Sequence, residues 1–172
     1  MISNTAWEAT LKTMNSSIFE TLGNIKLLEY EKVAFLCSSR YSSVAVLKSY
    51  DWAIEQREAG RCVLSGFHSP LEKDVLDILL KGTQPVILAL ARGMYQKPDK
   101  ELLKHVEAGR LLIITPFERS VTYITKETAE IRNRLIIDLA DEIMVAHMTK
   151  GGQIERILKE LPDKPVTFLT NN

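Results

Sequence analysis

Arg132, Asn133 and Arg134 stand side by side just before the apolar run LIIDLADEIMV, and Gly151 and Gly152 follow that run beside Lys150. The arginines offer charge to an anionic group. A glycine pair opening a helix, next to a lysine, can bring backbone N–H groups close to a phosphate. Each feature also has a purely structural reading. Arg134 and Asp138 have the i,i+4 spacing of a helix-surface ion pair, worth about 0.2–0.5 kcal/mol, which leaves Arg132 and Asn133 unexplained. The glycine pair serves equally as a turn.

Two earlier segments carry similar chemistry. CSSRYSS (37–43) places Ser38, Ser39 and Arg40 ahead of a helical stretch, where hydroxyls and N–H groups form an anion site or Ser42 or Ser43 simply caps the helix. SGFHSPLEKD (65–74) opens with Ser65 and Gly66, the glycine allowing a turn or close approach to a ligand. Ser69, Pro70 and Glu72 read as an N-cap, a first helical position and the third residue of a capping box. His68 stays over as a polar loop residue at the same edge. Further along, ARGMYQKP carries Arg92, Gly93 and Tyr95, and TPFERS sets Phe117 beside Arg119. That phenylalanine either stacks a base or folds back on the core.

Familiar enzyme signatures are missing. There is no GxSxG elbow, no Walker A frame and no GxGxxG after the first strand. His68, His105 and His147 lack local metal-ligand spacing. No residue is assigned a catalytic or metal-binding role, and no cofactor is implied. The 22 basic residues balance 22 acidic ones, so nucleic-acid binding requires a local basic patch. Cys37 and Cys62 lie in or at the end of apolar runs and read as buried thiols. No run approaches the ~20 apolar residues of a membrane span, and the N-terminus lacks a signal-peptide pattern. The expected location is cytoplasmic.

These segments need a scaffold, and the alternation of the chain supplies one. Strand-length apolar runs occur at 32–37, 61–65, 85–90, 110–115, 142–147 and 165–169. Their near-continuous hydrophobicity suits a parallel sheet covered on both faces. Helical segments lie between them at 43–59, 70–81 and 98–108, with Gly60, Gly82 and Gly109 as stops. The expected fold is α/β: a three-layer, doubly wound, Rossmann-like arrangement with a mainly parallel sheet and ligands along the strand C-terminal edge. The 172 residues read as one domain, with a helical extension over 1–30 and an α/β core over 31–170. Trp7, Leu11, Met14, Ile18 and Leu22 share a face of the predicted helix over 3–28.

From about residue 31 to 160 the chain resembles the Rossmann-like domain of the DNA-processing protein A (DprA/Smf) family, within the wider group that includes the LOG phosphoribohydrolases. The family's glycine-serine-arginine after its first strand corresponds to Ser38, Ser39 and Arg40. Its Ser-Gly loop corresponds to Ser65 and Gly66, its arginine-asparagine-arginine to Arg132, Asn133 and Arg134, and its later small-residue turn to Gly151 and Gly152. Departures are Ser38 in place of glycine, Pro70 and Glu72 near the family's glycine and aspartate, and Leu76 in place of a histidine. The resemblance implies a nucleotide or single-stranded DNA ligand and self-association as a homodimer. The LOG relatives imply an alternative, cleavage of a nucleoside monophosphate. KGGQIER keeps Gly151, Gly152 and Glu155 but lacks that group's proline, third glycine and threonine. A non-catalytic scaffold with a vestigial site is the third reading.

Overall fold

In the computed structural model, which describes residues 17–160 and 163–170, the strands join in one seven-stranded sheet. They are β1 (Glu20–Leu22), β2 (Lys32–Cys37), β3 (Cys62–Ser65), β4 (Val86–Ala89), β5 (Leu111–Thr115), β6 (Glu142–His147) and β7 (Val166–Phe168). Their spatial order is β1-β5-β4-β3-β2-β6-β7, parallel throughout except for β1. The connecting helices are α1 (Ser43–Glu58), α2 (Pro70–Leu80), α3 (Lys100–Glu107), α4 (Lys126–Leu139) and α5 (Gln153–Glu160).

The unbroken apolar runs follow from burial on both faces. Along β2, Val33 and Phe35 join one core cluster while Ala34 and Leu36 join the other, as the two-residue period of a strand requires. Trp52, Ala53, Leu71, Val75 and Leu79 from α1 and α2 cover the first face. Leu135, Ile136, Leu139, Ile154 and Ile157 from α4 and α5 cover the second. The chain therefore winds outward from β2 through β3, β4 and β5, then returns to the other side of β2 through β6 and β7. The switch point lies between β2 and β6, where ligands of such sheets bind.

Local chemistry sets the element ends. Ser42 caps α1 by accepting from the Ala45 N–H, and Ser69 and Glu72 form the full capping box of α2 with Pro70 in its first turn. Gly60 and Gly109 stop their helices at φ +71° and +75°, whereas Gly82 has no positive φ and instead makes room for Arg57 and Gln84.

The expected N-terminal helix over 3–28 is corrected where it can be seen. Trp7, Leu11 and Met14 lie outside the described residues. Leu22, placed on that helix by its spacing, belongs to β1, which pairs antiparallel with β5 in the register Leu22↔Ile113. Gly23 at φ +116° breaks any helical path, and Asn24 then caps a short 3-10 turn, Ile25–Glu29. That turn buries Leu27 and Leu28 in the core. Among the described residues, no helix is long and apolar enough to cross a membrane.

Candidate anion site at the strand C-terminal edge

At the switch point, the register of β2 against β6 shifts between Leu36 and Cys37, and Cys37 then pairs with His147. Ser38 holds them in place: its N–H donates to the His147 carbonyl at 2.9 Å, and its Oγ accepts from the Thr149 N–H at 3.0 Å. Above it Ser39 and Arg40 are exposed on one side and Lys150 on the other. Neither cation enters an ion pair with the described residues.

The glycine pair is engaged internally. Gly151, at φ +73°, donates its N–H to the Glu155 carboxylate, and Gly152 donates to the Thr149 carbonyl at 2.9 Å. The Gly151 hydrogen bond and then Lys159, at 3.0 Å, hold the Glu155 carboxyl below its ordinary value. An external anion at the start of α5 therefore competes with a carboxylate already seated there.

On α4 the arginine-asparagine-arginine unit divides. Arg134 points outward and pairs with Glu130 at 2.9 Å and Glu160 at 2.6 Å rather than with Asp138. Asn133 is buried; its Oδ1 accepts from Arg132 Nε at 2.8 Å and its Nδ2 donates to Gln153 Oε1 at 3.0 Å. Arg132 is 7% exposed and lies flat against Gly66, where a Cβ would stand 2.2 Å from Nη1 and 2.5 Å from Cζ. The missing side chain leaves room for the guanidinium in this position. Burial pushes the Arg132 pKa down from its ordinary value, with nearby Glu72 opposing the shift. Ser65 turns inward: its Oγ lies 3.4 Å from Glu72 Oε1 and 3.4 Å from the Phe67 nitrogen. Burial, and then Glu72, push the Cys37 thiol up to about 12.

A cavity of about 580 Å³ opens beside Gly66 and Arg132. Leu76, Leu88, Leu90 and Leu102 give it apolar walls, and His68, Lys73, Arg92, Tyr95 and Asp99 bring polar groups to it. The Arg92 guanidinium sits over the Tyr95 ring, 5.2 Å from its centroid. Of the site residues expected from the sequence, Gly66 and Arg132 line this cavity, with Ser65 and Asn133 behind them. Ser38, Ser39, Arg40, Lys150, Gly151 and Gly152 gather instead at the switch point. Lys73 and Asp99 escaped the sequence reading. Lys73 sits one turn into α2, and Asp99 caps α3, a role its place after Pro98 could have revealed. Leu76, a departure from the expected histidine, is part of the apolar wall. Arg119 is engaged elsewhere, pairing with Glu20 of β1. Among the described residues no cluster of acidic, histidine or cysteine side chains is fit to hold a metal ion.

Parallel strands wound in both directions from β2, with the connecting loops gathered at their C-terminal ends, define a Rossmann-like α/β protein. The family model of DNA recombination-mediator protein A matches residues 2–157, and the chain belongs to that family. DNA processing protein A from Streptococcus pneumoniae superimposes with a TM-score of 0.68 at 21% identity, covering 86% of this chain and 53% of that one. The Helicobacter pylori protein, described for its unique single-stranded DNA binding mode, gives 0.67 at 19% identity, covering 86% and 69%. The molybdenum cofactor binding protein from the phototrophic bacterium Rippkaea orientalis gives 0.55 at 14% identity, covering 81% and 76%. At these identities the likeness is one of fold. The chain spans about half the length of the S. pneumoniae protein. Comparison with curated proteins found no match.

Proposed function

We propose that this chain is a non-enzymatic binding module for nucleotides or single-stranded DNA, with phosphate held along the C-terminal edge of the sheet. The observation that carries this reading is the pair of exposed cations, Arg40 and Lys150, on either side of the Ser38 bridge at the β2/β6 switch point, neither in an ion pair with the described residues. Membership of the family and the DNA-binding relative from H. pylori support it. Net charge is zero, so affinity depends on this local patch, and each neutralised phosphate adds to the salt dependence. Glu155 in the Gly151 turn makes Arg40 a more important contact than the glycine amides.

The test is a titration with labelled oligo-dT and with nucleoside monophosphates at two salt concentrations. Oligo-dT binding is expected to weaken steeply with salt, and Arg40→Ala to weaken binding and flatten the salt slope by about 1. No binding at low salt would remove the DNA reading. Release of free base from a monophosphate would move the protein to the hydrolase class. Sedimentation of the free chain tests the accompanying expectation of a homodimer.

A further inference from the structure

We propose that the cavity beside Gly66 is a second, separate site that takes a phosphomonoester, the end of a DNA strand or a mononucleotide, on the guanidinium of Arg132. The proposal rests on the nucleic-acid reading for its ligand class, and on the cavity for its selectivity.

Arg132 is the unusual group. A buried cation normally has a carboxylate against it, because leaving water is costly without a partner. Here only Nε is engaged, by Asn133 Oδ1 at 2.8 Å. Neither Nη1 nor Nη2 has a hydrogen-bond partner among the described residues, and no carboxylate lies within ion-pair distance of them. Glu72, the nearest acidic influence, is tied to the Ser69 N–H at 3.1 Å. The free ends of the guanidinium border the cavity, so the available acceptor is whatever enters it. A planar fork of two donors fits two oxygens of one phosphate.

The fork is also fixed in advance. Gly66 packs against its face, Asn133 holds Nε, and Gln153 holds Asn133 while donating to the Lys126 carbonyl at 3.2 Å. A donor held in this way loses little freedom on binding. Lys73 and Arg92 reach the same cavity and outweigh Asp99 in charge, while Leu76, Leu88 and Leu90 leave an apolar surface for a base or sugar.

Burial decides between an internal and a terminal phosphate. An internal phosphodiester continues into chain on both sides and needs two exits from any site that holds it. Arg132, 7% exposed at the inner wall, is reached by a group with one tether. A phosphomonoester meets that requirement and carries about −1.5 to −2 charge at neutral pH. The exposed Arg40 and Lys150 suit the passing strand; the buried Arg132 suits its end.

The experiment compares three probes on the same protein: oligo-dT with a 5′-phosphate, the same oligomer with hydroxyls at both ends, and thymidine monophosphate. The phosphorylated oligomer is expected to bind about 10- to 100-fold more tightly than the hydroxyl form. Arg132→Gln should erase that difference and leave affinity for the hydroxyl oligomer unchanged. Arg40→Ala should lower both oligomers alike. Because Arg132 is buried, Leu102→Trp serves as a second variant that narrows the cavity without touching the guanidinium, and it should reduce the end preference too. Equal affinity for the two oligomers, with no binding of thymidine monophosphate, would overturn the proposal. If neither oligomer binds while thymidine monophosphate binds in an Arg132-dependent way, the DNA reading fails and the pocket stands.

Discussion

Replacing Gly66 by alanine sets a methyl carbon 2.2 Å from Arg132 Nη1 and 2.5 Å from Cζ, where ordinary contact begins near 3.4 Å. One partner must move by about 1 Å. The backbone has no reason to yield, since Gly66 has no positive φ and alanine suits its conformation. The guanidinium is the far end of a flexible side chain, and the 580 Å³ cavity gives it somewhere to go. Loss of the Nε–Asn133 bond and a distorted rotamer cost about 1–2 kcal/mol, offset by about 0.4–1 kcal/mol from a less flexible unfolded chain. The net loss of stability is about 1 kcal/mol. Binding suffers more: displacing a charged two-pronged donor costs about 1.5–3 kcal/mol, or roughly 10- to 150-fold in affinity for a 5′-phosphorylated strand. Thermal melting and fluorescence titration of Gly66→Ala measure the two effects separately. Adding Arg132→Gln to Gly66→Ala should cost no further affinity, since both remove the same contact. A Gly66→Ala protein that binds the phosphorylated strand like wild type would refute the link between this glycine and a working fork. One that unfolds would show that backbone, not side chain, gives way.

Gly93→Ala should behave in the opposite manner, because its Cβ meets backbone, 2.3 Å from the Glu118 carbonyl and 2.6 Å from the Arg119 Cα; a loss of about 1–3 kcal/mol in urea unfolding is expected. The Cys37 and Cys62 thiols, both pushed up to about 12 chiefly by burial, should resist a thiol reagent at pH 8 and react at once in denaturant. Glu20 and Glu130 are held below 4.5 first by hydrogen bonds from Arg119 and Arg134, so the unfolded chain binds their protons more readily. Their contribution is complete above pH 4.5 and is lost as pH falls through the lowered folded values; Glu130→Gln should flatten the fall in urea midpoint over that interval, and an unchanged slope would exclude it.

Much of the scaffold could be read from the chain because its signals are local. Both faces of the sheet are buried, so β2 and β6 appear as apolar runs with the observed limits, 32–37 and 142–147. Ser69, Pro70 and Glu72 announce the start of α2 within four positions. The edge strand β1 was not legible. Its residues Glu20–Leu22 are only partly buried and show no strand pattern, and their pairing with β5 spans more than ninety positions. Leu22 and Ile18 happened to continue a helical spacing that Gly23 interrupts. The cavity was legible only in part for a related reason. Its walls come from the ends of β3 and β4, from α2 and α3, and from one residue of α4, so no short segment contains them.

The tripeptide on α4 shows how far a motif can be divided by helix geometry. Successive residues turn by about 100° around a helix, so neighbours in sequence face different surroundings. Arg132 faces the sheet end and meets Gly66, Asn133 faces α5 and meets Gln153, and Arg134 faces solvent and meets Glu130 and Glu160. The two arginines thus have unlike roles: one is paired on both sides and half-exposed, the other is buried with its ends unpaired among the described residues. Asn133 is the element that makes the pair a unit. Its oxygen fixes the buried guanidinium, and its nitrogen fixes Gln153, the first residue of α5 directly after the Gly151-Gly152 turn. A hydrogen-bonded path therefore runs from the cavity to the turn beside the switch point. An anion that displaced Glu155 from the Gly151 N–H would pull on the start of α5 and, through Gln153 and Asn133, on the fork itself. Occupation of the strand track and capture of the strand end are consequently expected to be coupled, and Asn133→Leu, which cuts the path while keeping the bulk, should make the two independent.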